Sequence, residues 1–236
     1  MKLLEFDTLA STNQYLKEHY AELDSFTMVS AKRQTNGRGR RNRVWDSEYG
    51  NLYCSLLIKD SKYYSKLEEL SVVTAYVVLK TLEKHGLKNL SVKWPNDVYV
   101  NDKKISGILL ESVFQEVTEC MIIGIGVNLN QKEFAYYKQN EPTSYYLESG
   151  DYIDVNEFRD ELYQNLLTAF EEIMEGTSFY HEIEEYDYLK GKKVYAQIDR
   201  KKELVEVGGI RENYTLEVKR NDKTYYLRSG EISFHL

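Results

Sequence analysis

The chain has 236 residues, 42% hydrophobic and 29% charged, with 31 Lys plus Arg against 38 Asp plus Glu and a formal net charge of −7, an ordinary globular composition. That length holds one large domain and a small one, and the only two cysteines, Cys54 and Cys120, lie far apart inside apolar runs. This excludes a disulfide scaffold and predicts buried free thiols in a reducing compartment, with no metal held by protein ligands. No apolar run approaches the roughly 18 residues that cross a bilayer and the N-terminus carries no cationic leader, so a cytoplasmic protein with no membrane partner is expected.

Residues 3–6 read as a short strand, and Ser11 with Gln14 has the spacing of a capping box opening an amphipathic helix. Residues 26–31 form a second strand. Residues 32–50, rich in Gly, Arg and Asn and without apolar periodicity, form a loop. It exceeds the about 12 to 15 residues beyond which connections in compact domains are usually functional or disordered. A buried strand is predicted over 51–59, then a helix through Leu67, Leu70, Val73, Val77 and Val78 that Gly86 ends. Residues 90–94, 97–100 and 105–113 form an antiparallel meander with a turn at Asn101-Asp102. Residues 120–128 are a strand whose Gly124 and Gly126 bare one face, as where a ligand approaches a sheet. A helix over 156–174 carries Phe158, Leu162, Leu166 and Phe170 on one stripe. From about residue 190 only short strands follow, over 193–199, 204–207, 214–219 and 224–228, which predicts a small all-β barrel. The expected fold is therefore α+β, with domains over 1–188 and 189–236.

Three groups of residues carry chemistry. The first is Gly37-Arg38-Gly39-Arg40-Arg41-Asn42-Arg43, preceded by Gln34 and followed by Trp45. Glycines let backbone N–H groups approach an anion and arginines add forked donors, so the loop suits phosphate. Gly-Arg segments also bind RNA or lie in solvent, and Trp45 is either a flat face for a base or a core residue. The second group is Lys93-Trp94-Pro95-Asn96-Asp97, with Lys104 and Gly107 close behind. Pro95 interrupts the strand and leaves an amide and a carboxylate at the break, where irregular backbone tends to line sites; a capped surface turn with a solvated lysine is the other reading. The third group is Ser11-Thr12-Asn13, a helix N-cap that also offers hydroxyls to a polar ligand. None of the four histidines belongs to these groups, which argues against histidine acid–base chemistry.

In this order, together with Gly124-Ile125-Gly126-Val127-Asn128, the motifs resemble the biotin protein ligases, most specifically over residues 1–130. The resemblance implies a mixed sheet flanked by helices, as in class II synthetases, and a C-terminal SH3-like barrel. It implies ATP and Mg²⁺ as cofactor and metal, biotin as substrate, and a biotin carboxyl carrier protein domain of a carboxylase as acceptor. No DNA partner is implied, because the chain begins at the catalytic domain of a monofunctional type; a homodimer is compatible. By the same resemblance Ser11, Thr12, Asn13, Gln34, Arg38, Gly39, Arg40, Lys104 and Gly107 hold biotin. Gly37, Arg38, Arg40, Arg41, Trp45, Asn96, Lys104 and Asn128 hold the nucleotide, with Trp45 on the adenine. Lys104, Arg40, Asp97 and Lys93 take the catalytic positions. The family commonly has a third glycine where this chain has Asn42, and Arg211 is the loose counterpart of a barrel arginine that reaches the nucleotide in some members.

The implied reaction has two steps, adenylation of biotin and transfer of the biotinyl group to a lysine. Attack of a carboxylate on an α-phosphate needs repulsion offset by cations, and the mixed anhydride needs a loop that excludes water. A lysine amine, with a free pKa of about 10.4, must lose its proton before attacking, and Asp97 is the residue expected to orient or receive it. Two other readings are weighed. A lipoate-type acyl ligase on the related fold has no use for the hydrogen-bonding set at Ser11, Thr12 and Gln34. An RNA-binding module would need a broadly basic face, against a net charge of −7.

Overall fold

The computed structural model describes residues 2–134, 141–198, 201–228 and 232–233. In chain order the first part comprises β1 (Lys2–Leu9), α1 (Thr12–His19), β2 (Thr27–Gln34), β3 (Leu52–Ile58), α2 (Leu67–Lys84), β4 (Leu90–Lys93), β5 (Asp97–Val100), β6 (Lys103–Phe114) and β7 (Thr118–Val127). Three helices follow, α3 (Tyr145–Ser149), α4 (Val155–Glu175) and α5 (Tyr180–Glu184), and then β8 (Lys193–Ile198), β9 (Lys201–Ile210), β10 (Leu216–Arg220), β11 (Lys223–Leu227) and β12 (Ile232–Ser233).

The first seven strands make one mixed sheet in the order β1-β2-β3-β7-β6-β5-β4. Only β1 and β2 run parallel, which is why a helix, α1, connects them. The Asn101-Asp102 turn between β5 and β6 has positive φ at both residues, the geometry that a tight hairpin demands and that Asn and Asp tolerate. Helices α2 and α4 cover one face of the sheet. Phe158, Leu162, Leu166 and Phe170 of α4 are fully buried there, each contributing roughly 1.5–3 kcal/mol by leaving water. Asp154 caps the start of α4 and Gly176, at φ 96°, ends it. The same core continues into the second sheet, ordered β11-β10-β9-β8-β12, through Val194, Val205, Val207, Leu216 and Val218. The other face of the large sheet carries α1 on a smaller cluster of Leu16, Val29, Leu57, Cys120 and Ile122. Both cysteines are free and buried, as their apolar runs predict.

The structure revises several expectations. Strands β1 and β2 extend to Leu9 and Gln34, because Thr8 pairs with Arg33 and Leu9 with Gln34 after hydrophobic alternation has faded. Lys32, Arg33 and Gln34 are therefore strand residues, and the loop begins at 35. Ser11 does cap α1 by accepting from the Gln14 backbone N–H. The capping box is incomplete, because the Gln14 side chain turns along the helix to Glu18 instead of back to Ser11. Asp199, the last residue of the expected strand over 193–199, and His235 lie outside the described residues, as do 229–231 within the expected barrel.

Candidate active site

Pairing register builds the site. Directly opposed residues point to one face, and a single row crosses the sheet: Lys93 opposite Asp97, Asp97 opposite Gly107, Gly107 opposite Gly126, and Gly126 opposite Tyr53. Two neighbouring glycines in this row leave a trough on the face that carries α1. The indole of Trp45 lies in it, so near that a Cβ on Gly126 would come 2.6 Å from the ring and one on Gly107 2.9 Å. Its indole N–H is buried without a partner among the described residues.

One end of the trough is lined by neutral polar groups. The backbone N–H and hydroxyl of Thr12 donate to Gln34 Oε1 at 2.9 and 3.2 Å, and Gln34 Nε2 donates to Ser47 at 3.0 Å. Ser55 donates to Asn13 Oδ1 at 2.5 Å and its hydroxyl oxygen lies 2.6 Å from that of Thr12, while Asn13 Nδ2 donates to Glu111 at 2.8 Å. Lys17 pairs with Glu111 at 2.6 Å. Thr12, Asn13 and Ser55 are all buried, and Gly124 is required beside them because a Cβ there would strike the Asn13 amide. Ser11 is buried as well, its hydroxyl oxygen accepting from the Gln14 backbone N–H in the helix cap.

The other end is charged. Lys104 Nζ donates to Asp97 Oδ1 at 2.6 Å and stands 5.2 Å from the Trp45 ring centroid. Arg40 donates to Asn96 Oδ1 at 3.0 Å, and Asn96 Nδ2 donates to the Ile108 carbonyl at 2.7 Å, so the loop is tied to the β4–β5 turn. Burial draws the Arg40 guanidinium below its ordinary value, with Asp97 opposing. Lys93 is buried; its ammonium donates to Tyr99 Oη at 2.7 Å, and burial pushes it down to about 7 against the pull of Asp97. The turn between Lys93 and Asp97 has a cis Trp94-Pro95 bond, and the buried Trp94 indole donates to the Tyr214 carbonyl of the β9–β10 connection at 2.9 Å.

The loop folds on itself through an Arg38–Val44 bridge, a hydrogen bond from Gly39 N–H to the Arg43 carbonyl at 2.7 Å, and a 3-10 turn over Arg40–Asn42 in which Arg41 takes φ 59°. Gly37 has no room for a side chain against Ser47 and the Trp45 carbonyl, whereas a Cβ on Gly39 would meet nothing nearer than 3.6 Å. Arg41 is exposed. Asn128 sits past the end of β7, where its side-chain amide donates to the Thr143 carbonyl at 2.9 Å and fastens the chain that holds Lys104 from behind. Arg211 pairs with Glu217 at 2.6 Å within the second sheet.

The row and its loop thus gather Thr12, Asn13, Gln34, Arg40, Trp45, Lys93, Asn96, Asp97, Lys104 and Gly107 around one trough. Ser55, Ser47, Glu111 and Lys17 belong to the same network and are not singled out by motif. For Ser55 a signal exists, the one small polar residue inside the apolar strand Leu52–Ile58.

The model of the Biotin/lipoate A/B protein ligase family matches residues 5–128, which hold every element of this trough. The chain belongs to that family. Its fold is close to that of a biotin protein ligase from Aquifex aeolicus solved in complex with biotin and ATP, with a TM-score of 0.88, 30% identity, and 98% of this chain and 97% of that one covered. The bifunctional ligase/repressor BirA of Escherichia coli (strain K12) is 36% identical over 163 residues, 68% of this chain and 51% of that protein. A biotin--[acetyl-CoA-carboxylase] ligase of Paracoccus denitrificans is 34% identical over 159 residues, 64% of this chain and 65% of that one. The chain spans about half the length of the BirA proteins it matches. Within this ligase family the mixed sheet with its flanking helices, and the small antiparallel sheet that follows, are the expected architecture.

Proposed function

We propose that this member of the family is a biotin protein ligase that joins biotin to ATP as biotinyl-5′-AMP and then acylates a lysine of a biotin carboxyl carrier protein domain. The observation that carries the reading is a glycine-floored trough with a neutral hydrogen-bonding end at Thr12, Asn13, Gln34 and Ser55 and a cationic end at Lys104 and Arg40. A cyclic urea presents N–H donors and a carbonyl acceptor together, and the amides and hydroxyls of the first end complement both. A dithiolane ring has neither, so the buried polar set disfavours a lipoate-type substrate. Domains over 1–188 and 189–236 belong to this reading.

In the first step the biotin carboxylate forms a bond to the α-phosphorus and pyrophosphate leaves. Lys104 and Arg40 lower the repulsion between the two anions and stabilise the charge on the phosphoryl oxygens. Among the described residues no three His, Cys, Asp or Glu side chains form a cation site. A Mg²⁺ would reach the site carried by the nucleotide's phosphates. When bound, the ion would supply further charge neutralisation on the phosphates. Closure of the 35–51 loop, with Arg38, Gly39 and Arg40 at its tip and Gly37 at its base, keeps water from the anhydride. In the second step the acceptor amine attacks the acyl carbon and AMP leaves. A lysine whose pKa is held near neutrality is partly the free amine at pH 7 and can accept a proton where a solvated lysine cannot, so Lys93 and Asp97 are the pair between which that proton is passed. Trp45 leaves the trough when biotin enters and gives its face to the adenine.

The test is incubation with biotin, MgATP and a carrier domain, followed by intact mass. One biotinyl group added to the carrier, and biotinyl-AMP in its absence, are expected. No adduct and no pyrophosphate release would remove the reading.

A further inference from the structure

The outer edge of β4 is not free. Val92, next to Lys93, receives the segment between α5 and the second sheet: its N–H donates to the Tyr186 carbonyl at 2.8 Å and its carbonyl accepts from Tyr188 N–H at 3.0 Å. Between those residues Asp187 turns the other way, accepting from Leu189 N–H and Ile210 N–H, both at 2.9 Å. Ile210 ends β9, so this carboxylate ties the segment to the second sheet while its backbone ties it to the first. Burial raises the Asp187 carboxyl above its ordinary range, as expected of a half-buried group held by backbone N–H groups at the junction.

Tyr188 then reaches back to the active-site row. Its ring stacks on Tyr99 with centroids 4.8 Å apart and planes 28° from parallel. Tyr99 accepts the hydrogen bond of Lys93, whose ammonium lies 4.6 Å from the Tyr99 centroid and 5.9 Å from that of Tyr188. On its far side the Tyr188 ring is covered by Lys192 Nζ at 3.3 Å. Lys93 thus sits against two aromatic faces, one from its own meander and one from the segment leading into the barrel.

We infer that Tyr188 is a positioning residue for the reaction: through its stack on Tyr99 it holds the Lys93 ammonium in place and out of water, so the seating of the C-terminal sheet sets the state of a group in the active site. The charged groups that act on Lys93 are Asp97 from β5, Lys104 from β6, Lys192 from the segment after Tyr188, and Arg43 from the loop; Asp97 favours the ammonium and the three cations oppose it. Lys192 lies behind the Tyr188 ring. Removing the ring admits water to Lys93 and reduces its desolvation, the largest of these effects. The inference gives Lys93 the catalytic place argued above, yet its core can be measured without substrate.

The experiment titrates full-length protein labelled with 13C-lysine, the Lys93 signal being assigned by its loss in Lys93→Arg. In wild type and in Tyr188→Phe, which keeps the ring, Lys93 titrates well below a solvated lysine. In Tyr188→Ala its midpoint rises by about one pH unit or more, and the half-maximal pH for transfer from preformed adenylate rises with it while KM for the carrier stays within about twofold. Tyr188→Leu, which fills the space without an aromatic face, replaces the alanine variant should that not fold, and a displaced Lys93 midpoint is again the supporting result. A Lys93 midpoint that stays at its wild-type value in the folded variant overturns the inference. Wild type that makes no adenylate overturns the ligase reading instead, and the Lys93 titration still decides this one.

Discussion

Lys104 and Asp97 make one ion pair, 2.6 Å long and mostly enclosed, so each substitution changes the other's surroundings. Lys104→Ala removes the cation that the proposed mechanism sets against the two anions and leaves Asp97 without its partner. It should lower the rate of adenylate formation by about 10²-fold or more, measured as pyrophosphate release, while the chain stays folded. Asp97→Asn keeps the shape and leaves Lys104 free to meet phosphate. Adenylation should then survive better than transfer in single-turnover experiments, and equal loss of both would assign Asp97 to the first step. Lys93 makes a prediction about stability. Its ammonium is held down to about 7 in the folded chain and returns to about 10.4 on unfolding. Between those values the unfolded chain binds more protons, so folding gains up to about 1.4 kcal/mol per pH unit as pH rises, and below 7 the full cost of burying the charge is felt. Lys93→Met should abolish that slope in urea titrations at pH 7 and pH 9.

The trough shows what one element does for another. Trp45 is brought to β6 and β7 by a loop anchored at its base through Ser47 and in its middle through Arg40 and Asn96. The chain has two tryptophans, and the other, Trp94, is buried beneath the second sheet. Steady-state emission should therefore change on adding biotin and MgATP, and the change should vanish in Trp45→Phe. Gly124→Ala drives a methyl into the Asn13 amide, parting α1 from the sheet at the Asn13–Ser55 contact. It should cost about 1–3 kcal/mol in denaturant titration and weaken biotin binding by calorimetry. Much of this was legible beforehand. The meander, its Asn-Asp turn, the bare strand face at Gly124 and Gly126 and the overlong loop follow from alternation, turn chemistry and glycine placement. The ends of β1 and β2 do not, because parallel pairing continues past the last apolar residue. Glu111 and Tyr188 were not legible either: each owes its place to partners distant in sequence, which no local pattern carries.

At the scale of the whole molecule the second sheet is a structural part of the first. One core runs through both, the Trp94 indole is bonded to the β9–β10 connection, and Asp187 holds the junction. The large sheet has two outer strands, and only β4 is closed, by residues 186–188. At the opposite margin β1 pairs with no further strand among the described residues, and Lys2, Glu5 and Asp7 are exposed there, each in an ion pair or hydrogen bond with a neighbour. Side chains so placed act as gatekeepers against edge-to-edge growth of the sheet from one molecule to the next. Replacing Lys2 by valine should leave adenylation intact and make light scattering rise with protein concentration. The margin farthest from the chemistry is therefore where a change in charge is expected to limit how concentrated a solution of this protein can become.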